Sequence, residues 1–352
     1  MVAYGRGVIP IDLTRSPETD PLQLYRFRDA IYSPDLLAAA LVWLDLFSWL
    51  DQHPCDLPTL CRELSLVERP ADVMLTLFKA MGLVEQRAGI FSLTPTAREH
   101  LVRSSPFYLG PYYASMKERP VIKDYVEVLR SGRPSNWASL KDQKAWSKAM
   151  EEEGFAKQFT SAMDCRGVYL GQALAKQVDL RGYRRVLDVA GGSAIYACSL
   201  VAANPQLSGT VFEKPPVDRI AKRAIEERGY SMRVDVVAGD MFQDPWPRSA
   251  DVHLISNVLH DWDVPEVRIL LSRSHESLPV GGCLLVHDVH LNADKTGPLP
   301  NAQYSALLMS ITEGKCYSIA EMTEYLTAAG FSVPEFHPTA ADRSVLVTRK
   351  LS

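Results

Sequence analysis

No stretch of this 352-residue sequence stays apolar for the ~18 residues that a membrane-spanning helix needs. The most apolar run, residues 36–50, is interrupted by Asp45 and reads as one buried helix. The opening MVAYGRGVIPIDLTRS lacks an apolar core of signal-peptide length, so no membrane role and a cytoplasmic location are expected. There is no CxxC: the cysteines at 55, 61, 165, 198, 283 and 316 are scattered, and reduced thiols are expected. Neither sign of charge dominates. A net charge of −4 gives no electrostatic reason to expect nucleic acid as a partner. Internal repeats and low-complexity segments are absent, and with 47% hydrophobic and 23% charged residues the chain belongs among ordinary globular proteins.

Two patterns divide what is there. From Pro21 to about Val102 apolar residues recur at helical spacing. Ser33-Pro34-Asp35 opens a helix, with Ser33 placed to cap it. Helix-sized segments at Leu57–Leu64 and 70–81 lead into two short strand patterns around a Gly turn at 83–93. Helices followed by a small hairpin make a winged-helix pattern over residues 1–102. Residues 103–180 read as helical with a less regular connection at 131–136. Beyond Arg181, strand-sized runs (Arg185–Val189, 210–212, 234–237, 252–255, 284–286) alternate with helix-sized ones (194–203, 218–228, Val264–Ser277). Such alternation indicates a doubly wound α/β domain over 181–352, with a parallel sheet covered on both faces. The last two runs, 332–336 and 344–348, are close enough to form a hairpin at its edge.

The carboxyl ends of these strands carry the chemistry, because ligands of open α/β sheets bind there. The first strand ends in Asp188-Val189-Ala190-Gly191-Gly192-Ser193. Gly191 and Gly192 let a ligand approach the backbone and supply φ > 0, while Asp188 suits a cationic group. The full GxGxxG of a dinucleotide fold and the GK[ST] of a phosphate loop are missing, and a plain strand–helix turn is the bland alternative. The second strand ends at Glu213, where an acid can hold both ribose hydroxyls. The third ends in Gly239-Asp240-Met241-Phe242, an acid beside an apolar platform for a ring. The fourth runs into Ser256-Asn257-Val258-Leu259-His260-Asp261-Trp262. Histidine titrates near ~6.5 and suits a general base.

In this order and spacing, the 188–193 turn, Glu213, 239–242 and Val-Leu-His-Asp-Trp resemble the small-molecule O-methyltransferases of the caffeic-acid and hydroxyindole type, over roughly residues 20–350. The resemblance implies a Rossmann-like methyltransferase domain with an N-terminal dimerisation domain. It also implies S-adenosylmethionine as methyl donor, S-adenosylhomocysteine as product, no metal, and a homodimer for which the apolar 36–50 run is the natural interface candidate. Asp188, Gly191, Gly192, Glu213, Asp240, Met241, Phe242, Ser256, Asn257 and Trp262 would then line the donor, and His260 would deprotonate the acceptor hydroxyl. The acceptor is expected to be a small aromatic secondary metabolite, with C- or N-methylation on the same fold as the alternative.

Three departures from the family pattern matter, the first at the donor turn and the other two beside the base. The glycine turn has Ala190, Ser193 and Ala194 where more glycines are usual. The carboxylate that orients the histidine would be Asp288, in His287-Asp288-Val289-His290, unless strand alternation turns it away. A further family acid falls nearest Cys316, with Glu313 three residues earlier as the substitute. His260, His287 and His290 also admit a metal-assisted reading, although His287 and His290 cannot share one face of a regular strand. Phe155, Phe159 and Met163 repeat at i, i+4, i+8, and Phe159, Met163, Tyr113 and Met309 are candidates to line the acceptor. Tyr108, Tyr112, Tyr113 and Met116 read as neighbours on a helix, and Trp146 as core. Glu151-Glu152-Glu153 reads as a solvated helix face. A winged-helix DNA sensor is disfavoured, since 70–81 has only Arg69, Lys79 and Asp72 as charges near it.

Overall fold

The computed structural model describes residues 11–134 and 150–352. Its N-terminal part runs through α1 (Leu22–Asp29), α2 (Ser33–Val42), α3 (Leu46–Gln52), α4 (Leu57–Leu64) and α5 (Glu68–Ala80). The hairpin β1 (Val84–Arg87) and β2 (Ile90–Leu93) follows, paired antiparallel. The run 36–50 is two helices, not one. α2 ends at Val42, Asp45 takes φ 51° and the chain restarts at Leu46. Asp is among the few residues besides glycine that enter the left-handed region at low cost, so an acid in an apolar run marks a corner here. Ser33 is likewise no cap: it is the first helical residue, and its hydroxyl donates to the carbonyl of Ala30.

Helices Gly110–Ala114, Pro120–Ser131 and Glu153–Gln177 make the connection to the second half. The expected irregular stretch at 131–136 is described only as far as Pro134, and Trp146 lies outside the described residues. The aromatic run at 108–116 centres on a five-residue helix, Gly110–Ala114, with Tyr112 exposed and Tyr108, Tyr113 and Met116 packed on the N-terminal core. Glu152 does more than solvate a face, because its carboxylate caps the helix at the N–H groups of Gly154 and Phe155.

The sheet has seven strands in the order β5-β4-β3-β6-β7-β9-β8. These are β3 (Arg185–Val189), β4 (Ser208–Glu213), β5 (Val234–Ala238), β6 (Val252–Ser256), β7 (Cys283–Asp288), β8 (Glu335–Pro338) and β9 (Ser344–Arg349). β3 to β7 are parallel, whereas β9 runs antiparallel to both β7 and β8, which is the expected edge hairpin. The order reverses between β3 and β6, so the crevice for a ligand opens at their carboxyl ends. No single helix among the described residues is long and apolar enough to cross a membrane.

The cores join the expected units. One cluster holds Leu36, Phe47 and Phe78 of the N-terminal helices, Tyr125 and Leu129 of the connection, and Ala302, Leu308 and Met309 of helix Leu299–Ile311. Burying a Phe or Leu stabilises by roughly 1.5–3 kcal/mol, so these contacts tie the two halves firmly. α5 is buried along most of its length, packed against helix Leu299–Ile311. The helix that a DNA sensor would insert into a groove is covered by the rest of the chain.

A buried ion cluster pins the same interface. Lys315 Nζ reaches Asp72 of α5 at 2.6 Å and Glu321 at 2.7 Å, and Lys295 reaches the same two acids at 2.9 and 2.7 Å. Each charge answers an opposite one, which is the condition for holding ions away from water.

Candidate active site

β3 delivers Asp188 to the switch point fully buried. One carboxylate oxygen accepts from the N–H of Ala197 at 3.3 Å, and the other, Oδ1, is buried without a hydrogen-bond partner. Burial pushes this carboxyl up to about 7. Gly192 takes φ 57° with open space where a Cβ would stand, whereas Gly191 has an ordinary φ and is needed for room. A Cβ on Gly191 would lie 2.6 Å from the Asp188 carboxylate. Ala190 and Ala194 also hold positive φ (53° and 67°), a conformation that costs a residue with a Cβ some strain.

Glu213, at the end of β4, grips this turn: it accepts from Gly192 N–H at 2.9 Å and from Lys214 N–H at 2.8 Å. Burial raises it to about 7 as well. Asp240 accepts from Phe242 N–H at 2.8 Å, and its second oxygen lies 3.8 Å from Lys214 Nζ. Met241 and Phe242 pack at the edge of the β3–β6 core, and the Phe242 ring meets Trp262 edge-on at 4.7 Å. At the end of β6, Ser256 bonds His287 Nδ1 at 2.9 Å, and Asn257, at φ 54°, donates to the Tyr196 hydroxyl at 3.0 Å. Asn257 Oδ1 is a second buried acceptor without a donor.

These strand ends fit S-adenosylmethionine. The unpartnered Asp188 oxygen suits its ammonium, Glu213 its ribose hydroxyls, and Asp240 with the Met241–Phe242 platform its adenine. The opening above Gly192 lets the nucleoside approach the backbone.

His260 lies in the short 3₁₀ turn Leu259–Asp261 that leaves β6, and it is buried. Its Nδ1 meets Asp288 Oδ1 at 2.5 Å, and that carboxylate also accepts from Val289 N–H at 2.8 Å. The pair is brought together because β6 and β7 are parallel neighbours, with Ser256 opposite His287. Alternation does not turn Asp288 away, because it is the last residue of β7, where the ladder gives way to a loop. Nε2 of His260 stands 3.5 Å from Asp261 Oδ1. Burial alone would lower His260, but the fields of Asp288, Tyr304 and Asp261 outweigh it and hold the ring at about 10. Asp288 is held below its usual range despite burial, because His260 faces it.

The other acids and histidines take different places. Glu313 is not at His260; its burial and the neighbouring Glu266 raise it, and Arg69 opposes them. The next residue, Gly314, packs against the His260 backbone, and its carbonyl accepts from Arg69 at 2.9 Å. Cys316 is fully buried with its thiol pushed well up by burial, near Asp288 but uncharged. His287 is bonded to Ser256 and Thr339, His290 to Ser344, and burial lowers them to about 3 and about 4. Among the described residues no three His, Cys, Asp or Glu side chains gather as metal ligands.

Of the acceptor candidates, Phe159 and Met163 sit half-buried on helix Glu153–Gln177. Tyr113 packs on the N-terminal core, and Met309 is fully buried within it. Met309 is therefore core rather than lining: helix Leu299–Ile311 turns that face to α5. Three participants escaped notice in the sequence. Tyr304 meets the His260 ring edge-on at 5.8 Å, Tyr196 takes the Asn257 amide, and Arg166 donates to the Tyr304 hydroxyl at 3.2 Å. Only Arg166 left a signal, lying three residues after Met163 on the face that Phe159 and Met163 define.

The pattern of the O-methyltransferase domain matches residues 123–332. The 3-hydroxy-5-methyl-1-naphthoate 3-O-methyltransferase of Streptomyces sahachiroi is 33% identical over 315 residues, 89% of this chain and 90% of its own. The N,N-dimethyltransferase OxyT of Streptomyces rimosus is 31% identical, covering 78% and 80%. An O-methyltransferase family 2 protein of Planctomyces limnophilus, solved with apigenin, superposes with a TM-score of 0.87 at 35% identity over 98% of this chain and 100% of its own. Solved structures sharing the fold hold S-adenosylmethionine. The chain belongs to the O-methyltransferase family and is an S-adenosylmethionine-dependent methyltransferase.

Proposed function

We propose that this enzyme methylates a hydroxyl of a small aromatic metabolite, with His260 as general base and Asp288 as the residue that positions it. The observation that carries the reading is the buried 2.5 Å contact between His260 Nδ1 and Asp288 at the switch-point crevice. S-adenosylmethionine, when bound, supplies an electrophilic methyl group on a positively charged sulfur. Asp288 fixes the proton on Nδ1, which leaves Nε2 as the nitrogen that takes the proton of the acceptor hydroxyl. Asp261, beside Nε2, is pushed up to about 6 by burial and steadies the imidazolium that forms. Phe159 and Met163 offer an apolar wall for an aromatic ring, and the surrounding burial excludes water. The main task left to the chain is alignment.

The relatives support the aromatic reading: one is a 3-hydroxy-5-methyl-1-naphthoate 3-O-methyltransferase, and the solved structure is a complex with apigenin. OxyT shows that relatives also methylate nitrogen. Incubation with methyl-labelled S-adenosylmethionine and matched panels of phenols, amines and 2-oxo acids tests the choice; label transferred to the amines alone overturns it.

The same reading includes a homodimer through the N-terminal domain, but most of the 36–50 run expected at the interface is buried within its own chain, and the exposed apolar face is that of α1. Leu24, Phe27 and Ile31, at i, i+3 and i+7 along α1 and its exit, are 71%, 72% and 47% exposed. A stripe of that size on one helix face is costly to leave in water. Phe27→Glu is expected to shift sedimentation from dimer to monomer; a wild-type chain that sediments as a monomer contradicts it.

A further inference from the structure

We infer that Arg166 is a carboxylate receptor of the active site, an inference that rests on the donor and acceptor reading above. Its guanidinium lies on the helix face of Phe159 and Met163 and, among the described residues, donates to the Tyr304 hydroxyl, whose ring abuts His260. Its Nε is buried with no hydrogen-bond partner. Among the described residues no carboxylate stands within ion-pair distance of it. Other enclosed arginines are answered: Arg343 by Asp29, Arg228 by Asp164, and Arg69 by two backbone carbonyls with Asp263 nearby. Asp29, whose field reaches Arg166, is already bound to Arg343.

An arginine keeps its charge when enclosed, and a charge left without a counter-ion is costly. The fork of donors matches a planar carboxylate best. Its charge is felt by Tyr196 after β3, Asp261 after β6 and His287 on β7, which places it over the same strand ends as the donor and the base. Two carboxylates can enter that space: the methionine carboxylate of the methyl donor, or one carried by an aromatic acceptor. The shared chemistry is a carboxylate within reach of Arg166.

The test is calorimetric binding to wild type, Arg166→Met and Arg166→Lys. The probes are S-adenosylhomocysteine, methylthioadenosine (which lacks the amino acid end), and the pair 3-hydroxy-1-naphthoate and 2-naphthol with S-adenosylhomocysteine present. If the receptor serves the donor, Arg166→Met weakens S-adenosylhomocysteine about 10- to 100-fold and leaves methylthioadenosine within about twofold. If it serves the acceptor, the naphthoate weakens by that factor while 2-naphthol does not. Arg166→Lys is expected to recover part of either loss. Equal binding of all probes by Arg166→Met overturns the assignment, as does equal loss of all of them in both variants. A wild type that fails to bind methylthioadenosine contradicts the donor site itself, separately from Arg166.

Discussion

His260 Nδ1 and Asp288 Oδ1 stand 2.5 Å apart at the ends of adjacent parallel strands, both buried. The acid does two things to the base: it fixes the tautomer and raises the affinity of the ring for a proton. That field holds the ring up at about 10, and the ring acts as base only once Nε2 has given up its own proton. Nitrogen NMR of the imidazole is expected to show that midpoint in wild type, and a fall toward the usual ~6.5 in Asp288→Asn. Turnover of that variant is expected to fall roughly 10²-fold or more, since the tautomer is no longer held. A midpoint that ignores the substitution contradicts the pairing.

Donor affinity is expected to depend on Asp188. Its carboxyl is raised to about 7, so it is largely protonated at pH 6 and charged at pH 8. A cationic ammonium prefers the charged form, so binding of S-adenosylmethionine should tighten as pH rises through 7 and then level off. Asp188→Asn should flatten that dependence. Calorimetry from pH 6 to pH 8 checks it, and affinity that weakens as pH rises is the wrong sign.

Gly314 holds the base from behind. A Cβ there would stand 2.1 Å from the His260 carbonyl oxygen and 2.6 Å from Trp262 N, both backbone atoms with no room to yield. Gly314→Ala should displace the 260–262 turn, cutting turnover by ~10²-fold and lowering the melting temperature by several degrees. Gly182→Ala is the control, because its Cβ meets nothing within 4 Å. Equal behaviour of the two variants contradicts the packing.

The ion cluster across the interface should be costly to break on one side. Asp72→Asn removes one of two acids that answer Lys295 and Lys315. Uncompensated buried charge costs about 3–5 kcal/mol, which urea unfolding would resolve. Replacing Asp72 and Lys315 together with leucines should cost clearly less than Asp72→Asn alone. Additive losses would mean that the groups do not act as a cluster.

Much of this molecule was legible in its sequence because local patterns and tertiary packing agree. Leu57–Leu64 and Val264–Ser277 form over the spans their spacing implies, and the five parallel strands fall where the apolar runs do. Asp188, Glu213, Asp240 and His260 gather at one end of the sheet because parallel strands place their carboxyl ends together. What stayed hidden depends on contacts between distant segments. Asp45 turns a helix because of a backbone conformation its neighbours do not announce. Met309 joins the core of the N-terminal helices, and it is Gly314, not Glu313, that packs against the base. Asp288 reaches the base where β7 ends, which alternation alone did not decide. Arg166 looks like any helical arginine until Tyr304, from far along the chain, is found beside it.

The central claim is best tested by single-turnover methyl transfer to a phenolic acceptor by His260→Ala, with S-adenosylmethionine saturating. A rate lowered ~10²–10⁴-fold, with donor affinity within about threefold of wild type, is the expected result for a general base beside an intact donor site. An unchanged rate, or a donor that no longer binds, contradicts the account.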